Sequence, residues 1–351
     1  MKPFDSIRKF FSARLQPSKQ CRAAATQPQP LRSAPDLDAL LEATGCPQAT
    51  ALVRQVARTC FHIFPASPGT KGKLGCSRLG GAPDLPAGAS WPRAKNGQLL
   101  TFYGQIKLSD VSAITGPPLL PAEGLLSIFC GEIDCPAELN EVHVSIIPPG
   151  FALQASALPP VSDAFADGRI GCLNPVVVRF EQGLSFPTER WAFLRALESS
   201  APDGDVDALL QGLSAAPEGA IGQFLGLAQF SGDDVQSEAY FAEIGRVNQD
   251  RLVIWESWDE WGRAKAMQSR MGNGQLHRPW SSLDDANVKW ILENRAAIAA
   301  GTEKWMSLLW IGSNKQMNLW INDADPIYFL AKINDDGSLD LSKVRAGATQ
   351  S

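Results

Sequence analysis

The first half of the chain carries the periodicity of β-strands. Apolar and polar residues alternate over residues 100–108, and short apolar or β-branched runs bounded by Pro and Gly follow at 124–130, 141–147 and 176–180. A period of two predicts half-buried strands. Because the connections are too short for repeated helical crossovers, we expect antiparallel pairing.

Helical patterns flank and interrupt these strands. Gly45, Cys46 and Pro47 separate two of the patterns, and Ser282 is a candidate N-cap for the last one, which Gly301 would end. Further strands follow, and Asp336-Gly337 is typical of a hairpin turn. The predicted helices cover residues 36–43, 48–61, 187–197, 206–213, 234–245, 256–270 and 282–301, and the later strands cover 305–311, 317–321 and 327–333.

Proline and glycine punctuate residues 64–92 and exclude a long helix or a central strand there. Two explanations fit this loop. It could be a structural clamp, in which the glycines allow a positive φ and Leu79, Leu85 and Trp91 anchor the chain on a sheet. It could instead line a pocket, with Arg78, Asp84 or Arg93 facing a ligand.

Three segments resemble the YwqG family of bacterial proteins of unknown function. They are Leu79-Gly80-Gly81-Ala82-Pro83 through Trp91-Pro92, the strand around Gly104-Gln105-Ile106, and residues 120–126. Residues 305–345 are similar to the closing half of that family, although Trp310 stands where the family places a Gln. The family's Trp-Gly-Asp-x-Gly turn is replaced by residues 320–326.

The resemblance spans residues 70–346 and implies an α+β fold, mainly antiparallel β. The expected architecture is a roll of two related β halves, with helices before it and a helical insertion in the second half. An internal repeat agrees with this, because residues 79–85, 100–110 and 125–129 are similar to 225–230, 305–313 and 328–333. The predicted parts are a tail and linker at 1–35 and one domain at 36–351, comprising a helical lead-in at 36–64, a first half at 70–183 and a second half at 184–346 with its insertion at 234–300.

Charge is distributed unevenly. Residues 1–35 hold seven basic residues and one acid, a charge of +6, so the rest of the chain carries −11 of the total of −5. The acidic body argues against nucleic-acid binding, since phosphate neutralisation needs a basic face. Residues 1–15 could form a short basic amphipathic helix with weak contact to a membrane surface, or a frayed tail.

Seven widely spaced cysteines are typical of reduced thiols, and the chain has no apolar run long enough to span a bilayer and no secretory signal core. We therefore expect a cytoplasmic protein. Cys130 and Cys135 have no second close pair to complete a zinc site, with only His143 nearby, so we predict no metal and no cofactor.

Catalytic chemistry finds little support in the sequence. The histidines are His62, His143 and His277, and a Cys76 or Ser77 nucleophile beside one of them is the strongest hydrolase candidate. Residues 69–75 lack the first Gly and the Ser or Thr of a phosphate-binding loop. The enzyme hypothesis, the less favoured one, is a small-molecule enzyme or hydrolase with a pocket between the β halves. Its candidate residues are Asp84, Trp91, Gln105 and Asp110.

Tryptophans and acids alternate on one predicted helix. Trp255, Trp258 and Trp261 recur every third residue beside Asp259 and Glu260. Packing of this face on the sheet is one interpretation. If part of it is exposed, Trp rimmed by acid is suited to bind a basic protein. The leading hypothesis is therefore a non-catalytic protein-binding module of a regulatory or immunity type.

Overall fold

The computed structural model describes residues 34–111, 119–131, 141–159, 165, 172–188, 190–228, 235–246, 248, 257–262, 284–320 and 326–348. The helices are α1 (Ala34–Ala43), α2 (Thr50–Val56), α3 (Trp191–Ser200), α4 (Val206–Leu213), α5 (Val235–Glu243) and α6 (Asp285–Glu303), and 3₁₀ turns cover Pro47–Ala49 and Leu108–Val111. The strands are β1 (Arg58–Pro65), β2 (Arg78–Leu79), β3 (Asp84–Pro86), β4 (Thr101–Lys107), β5 (Leu125–Cys130), β6 (Val142–Ile147), β7 (Leu153–Ala155), β8 (Val176–Ser185), β9 (Gly222–Phe224), β10 (Trp305–Ile311), β11 (Ile327–Ile333) and β12 (Leu339–Ala348).

Ten of the strands form one sheet, in the order β12-β11-β10-β9-β1-β8-β2-β4-β5-β6, and β3 pairs with β7. Every pair is antiparallel, which confirms the predicted pairing and the α+β class. The sheet curls until its two edges, β6 and β12, lie close to each other without joining the hydrogen-bond ladder. The result is a nearly closed sheet.

The main core lies inside this curled sheet. In β4 a bulge separates Phe102 from Gly104 in the pairing with β5, and the extra residue shifts the side-chain alternation. Tyr103 and Ile106, three residues apart, therefore both face the core, whereas Phe102 packs on the outside with Trp91. A bulge at the same place in β10, between Ser307 and Leu309, has the same effect.

A second core joins four helices to the end of β8. Leu37 and Leu41 of α1, Val53 of α2, and the apolar faces of α3 and α4 enclose Phe186. The Asp205 side chain accepts the Ala208 N–H and caps α4. Of these helices, α1, α3 and α4 have the predicted type and nearly the predicted bounds.

The helical lead-in predicted for residues 36–64 needs a correction. The helical pattern over 48–61 predicts one helix through Phe61, but α2 ends at Val56 and β1 begins at Arg58. β1 is buried on both faces between β8 and β9, so its sequence lacks the alternation that marks a half-buried strand. His62 consequently lies in a central strand and not at a helix end.

One further predicted strand was wrong, and other predictions concern residues outside the described ranges. Residues 315–318 form a turn, and Leu319 makes only an isolated bridge to Asn314, so no strand covers the described part of 317–321. Helix α6 begins after Asp284, whose side chain accepts the Ala286 N–H. The predicted cap Ser282 lies outside the described residues, as do the tail at 1–33 and most of the helix predicted at 256–270.

Hairpin β11–β12 is confirmed, with Gly337 at a φ of 84° in the turn between them. Among the helices of the described ranges, none has the length and apolar character that crossing a membrane requires.

Candidate functional site

The loop between β2 and β4 is held by a buried ion pair. Arg78 Nη1 donates to Asp84 Oδ2 and Nη2 donates to Oδ1, each at 2.8 Å. Nη2 also donates to the carbonyl of Ala82. A bidentate pair fixes the guanidinium in one plane, so the seven residues from Arg78 to Asp84 close into a rigid turn.

Gln105 completes this network from β4. Its Nε2 donates to Asp84 Oδ2 at 2.7 Å and to the Cys76 carbonyl at 2.8 Å, and its Oε1 accepts the Asp84 N–H at 3.0 Å. The Gly75 N–H donates to the same carboxylate at 2.7 Å. We call Arg78, Asp84 and Gln105, with these backbone partners, the clamp.

Electrostatics in the clamp favour the ionised pair. Burial alone would raise the pKa of Asp84, but the hydrogen bonds from Arg78, Gln105 and Gly75 outweigh it and hold that pKa below its usual range. Burial likewise acts to lower the pKa of Arg78, and the Asp84 carboxylate more than offsets this and raises it. Both groups stay charged at neutral pH.

Glycines next to the clamp explain why the motif has its composition. Gly80 and Gly81 have φ values of 66° and 78°. A Cβ on Gly80 would lie 2.4 Å from the Asn174 carbonyl oxygen, and one on Gly81 would lie 2.8 Å from Pro175 Cβ. Only glycine fits both the backbone angle and the space.

Trp91 anchors the far end of the loop. Its Nε1 donates to the Leu100 carbonyl at 2.8 Å, and its ring meets Phe102 and Phe129 edge-on at 6.4 Å. The ring lies on the outer face of the sheet, half-buried. The contacts of the loop therefore match the structural clamp that the sequence offered as its first explanation.

The four predicted pocket residues lie in different surroundings. Asp84 and Gln105 are bonded together, whereas exposed Asp110 accepts from Ser77 Oγ at 2.7 Å and Trp91 lies in its own aromatic cluster. Three cavities in the described part of the chain have linings that include none of the four.

Nucleophile and base candidates are also separated. His62 is buried in β1 with its Nε2 3.8 Å from Cys60 Sγ, and burial raises the pKa of that thiol to about 12, so the thiol stays protonated. His143 is on β6, where partial desolvation of its exposed ring lowers its pKa. Among the described residues, no hydrogen bond joins Cys76 or Ser77 to a histidine, and no three His, Cys, Asp or Glu side chains group as metal ligands; Cys135 and His277 lie outside those residues.

The tryptophan-rich helix is described only at residues 257–262, so Trp255 lies outside the described residues. Trp261 is 2% exposed and donates its Nε1–H to Asp285 Oδ1 at 3.0 Å, which fixes the segment to the start of α6. Trp258 is 43% exposed, with Asp259 exposed and Glu260 half-buried beside it. The predicted face is thus divided between a buried anchor and an exposed ring.

A cleft crosses the outer face where the two sheet edges approach each other. Its volume is about 590 Å³, and sequence analysis did not single out its position. We call it the seam cleft. It is lined by Arg93, Lys95, Leu100, Glu141, Val142, His143, Glu243, Trp305, Ser342, Lys343, Val344 and Arg345.

Comparison with known families now adds one finding. Residues 77–147 match a domain of unknown function, DUF1963. The matched segment begins at the residue before β2 and ends with β6, so it contains the three side chains of the clamp and the part of the seam-cleft lining that precedes residue 148. No curated protein matches the chain.

Proposed function

We propose that the protein is a non-catalytic protein-binding module that contacts its partner through Trp258. The observation that carries this proposal is that Trp261 is buried whereas Trp258, three residues before it, is exposed. Trp261 anchors the segment, so the fold does not need the ring of Trp258, yet that ring is 43% exposed. Tryptophan is one of the three residue types enriched among binding hot spots.

Charge around Trp258 indicates the kind of partner. Asp259 and Glu260 adjoin it, and the Trp261–Asp285 hydrogen bond brings the acidic start of α6, Asp284 and Asp285, to the same segment. The body of the protein carries −11 outside its first 35 residues. We therefore propose a basic protein as the partner, attracted by the acidic rim and held by the tryptophan.

A capture experiment with matched variants tests this function. The full chain, Trp258→Ala and Trp320→Ala are immobilised and exposed to lysate of the source cells. Trp320 is the control because it is 59% exposed and lies elsewhere in the sequence. We expect one basic protein to be retained by the wild type and by Trp320→Ala, lost from Trp258→Ala, and released at high salt.

Recovery of no partner would contradict the proposal. Equal recovery by the wild type and Trp258→Ala would contradict the assigned surface. A regulatory or immunity-type role in a bacterial cytoplasm is the biological setting that we propose for such a module.

We also propose that the domain is YwqG-like, with a sheet of two related halves. The backbone conformations of the loops after β2 and β9 support this proposal. Gly80 and Gly81 have positive φ after β2, and Leu225 and Gly226 have φ values of 60° and 90° after β9. Non-glycine residues seldom adopt such angles, so a matched pair in the same place supports a duplicated turn.

Side chains and strand order support the same proposal. Arg78 donates to the carbonyl four residues later, and Gln223 donates to the carbonyl of Leu227, also four residues later. Outward from the central pair β1 and β8, each half adds a short strand and then three longer ones, and the bulges in β4 and β10 correspond.

A further inference from the structure

The seam cleft carries an inference that is independent of the proposed protein contact. Residues of β6 and β12 line the cleft, together with the loop before β4, Glu243 of α5 and Trp305 of β10. The cleft has the volume of sites that hold small organic molecules.

The cleft is basic within an acidic protein. Four cationic side chains line it, Arg93, Lys95, Lys343 and Arg345, against the carboxylates of Glu141 and Glu243. Both carboxylates already have partners. Glu141 pairs with Lys95, since it accepts the Lys95 backbone N–H at 2.9 Å and lies 3.9 Å from Lys95 Nζ. Glu243 pairs with Lys332, which is not among the lining residues. Lys343 pairs with Asp340 at 3.4 Å, which also lies outside the lining. Arg93 and Arg345 form no ion pair within the described ranges, so these two arginines give the cleft an excess of positive charge.

Arg345 is the centre of that excess. The residue is 9% exposed, and its guanidinium carbon lies 5.5 Å from the centre of the Trp305 ring. Within the described ranges its guanidinium makes no hydrogen bond and no ion pair, whereas arginines this deeply buried are normally paired. Desolvation accordingly lowers the pKa of Arg345.

Trp305 adds a second polar group that lacks a partner in the described part of the chain. Its indole is 2% exposed, and its Nε1–H is buried with no acceptor there. The walls around these two groups are apolar, since Leu100, Val142 and Val344 line the cleft as well. A ligand that fits has an anionic end for Arg345 and an apolar body for these walls.

We propose that the seam cleft binds a small organic carboxylate. Arg345 holds the carboxylate through its two-pronged guanidinium, and Leu100, Val142 and Val344 form the wall for the apolar body. Planar bidentate pairing favours arginine and a carboxylate, and the apolar lining favours an aromatic or branched aliphatic body over inorganic phosphate. Lys343 and Arg93 at the opening add attraction without specificity.

Ligand-detected NMR on the full chain tests this site. The probes are a panel of small aromatic and branched aliphatic carboxylates, each paired with its neutral amide, together with inorganic phosphate. We expect several carboxylates to bind, each about tenfold or more tighter than its amide, and phosphate alone to bind more weakly than they do. Binding of no carboxylate, or equal binding of the amides or of phosphate, would overturn the proposal.

Two variants and one control locate the binding. Arg345→Met keeps the apolar stem and removes the guanidinium, and we expect its affinity for the carboxylates to fall about tenfold or more. Arg54→Met is the control because Arg54 forms an exposed ion pair with Asp38 in the helical layer. We expect it to bind as the wild type does, and a loss of affinity equal to that of Arg345→Met would overturn the assignment.

His143→Trp keeps the test decisive if Arg345→Met does not fold. His143 is exposed on β6 and lines the cleft, so a larger ring there fills the cleft from its solvent side. We expect this variant to lose carboxylate binding while it keeps the far-ultraviolet circular dichroism of the wild type. Unchanged binding by His143→Trp would overturn the location.

Discussion

Arg78 and Arg345 are both largely buried on the same sheet, but their surroundings differ. The side chain of Arg78 is 12% exposed, and the clamp supplies a carboxylate and a carbonyl to its guanidinium. Arg345 is 9% exposed, faces the seam cleft, and receives an aromatic ring and a distant carboxylate. The pKa is raised for the first and lowered for the second.

This contrast distinguishes a buried charge that stabilises the fold from a buried charge that is available to bind a ligand. A buried ion pair whose hydrogen bonds are complete has little capacity left for a ligand, and removing one partner mainly harms folding. A buried cation without such bonds is costly for the fold and gains most from an external anion. Four measurements test the roles assigned to the clamp, its anchor Trp91 and the exposed Trp258, and they follow in order of falling effect on stability.

The largest effect is expected from Asp84→Ala. It leaves Arg78 buried without its carboxylate, so we expect a loss of about 3–5 kcal/mol in the free energy of unfolding, measured by urea denaturation. The matched control is Asp38→Ala, which breaks the exposed pair with Arg54 and should cost less than about 1 kcal/mol. Similar losses in the two variants would show that the buried pair of the clamp stabilises the fold no more than an exposed ion pair does.

Acid should weaken the clamp. The pKa of Asp84 is lower in the folded protein than in the unfolded chain, so its ionised form stabilises the fold above the unfolded value of about 3.9. That contribution is lost as the pH falls through the folded value. Urea denaturation from about pH 6 to about pH 2 should show a smaller loss of stability for Asp84→Asn than for the wild type. Parallel curves would contradict this assignment.

Trp91→Phe should have a moderate effect. It keeps the aromatic packing against Phe102 and Phe129 but removes the hydrogen bond to the Leu100 carbonyl. We expect a loss of about 1 kcal/mol in the free energy of unfolding. Trp320→Phe, at a ring that is 59% exposed, should change it by less than about 0.5 kcal/mol and is the control.

The smallest effect on stability is expected from Trp258→Ala. Its ring is exposed, and the neighbouring Trp261 holds the segment, so the free energy of unfolding should change by less than about 0.5 kcal/mol. Thermal unfolding followed by circular dichroism measures this. A marked loss would mean that the ring serves the fold, which would remove the basis for placing a partner there.

Much of the fold could be predicted from the sequence where burial is one-sided. Strands β4 and β5, the hairpin β11–β12 and helix α4 follow directly from periodicity and turn chemistry. Strand β1 could not be predicted because both of its faces are buried and no alternation remains. Strand β9 has only three residues, too few to form a pattern.

The candidate sites could be predicted only in part. Asp84 and Gln105 were identified, but their direct bond depends on the bulge in β4, which sequence does not reveal. Nothing in the residues next to Arg345 in sequence predicts that its side chain is buried. It becomes buried because two edges nearly 200 residues apart in sequence, β6 and β12, curl towards each other. Such long-range closure is a property of the whole sheet.

Carboxylate binding by Asp84→Asn and Arg345→Met, measured side by side at a temperature where both are folded, tests the distinction between the two buried arginines most directly. We predict that Asp84→Asn binds the carboxylates of the panel with wild-type affinity although it is less stable. We predict that Arg345→Met binds them about tenfold or more weakly. Equal affinities in the two variants, or a loss confined to Asp84→Asn, would contradict the account.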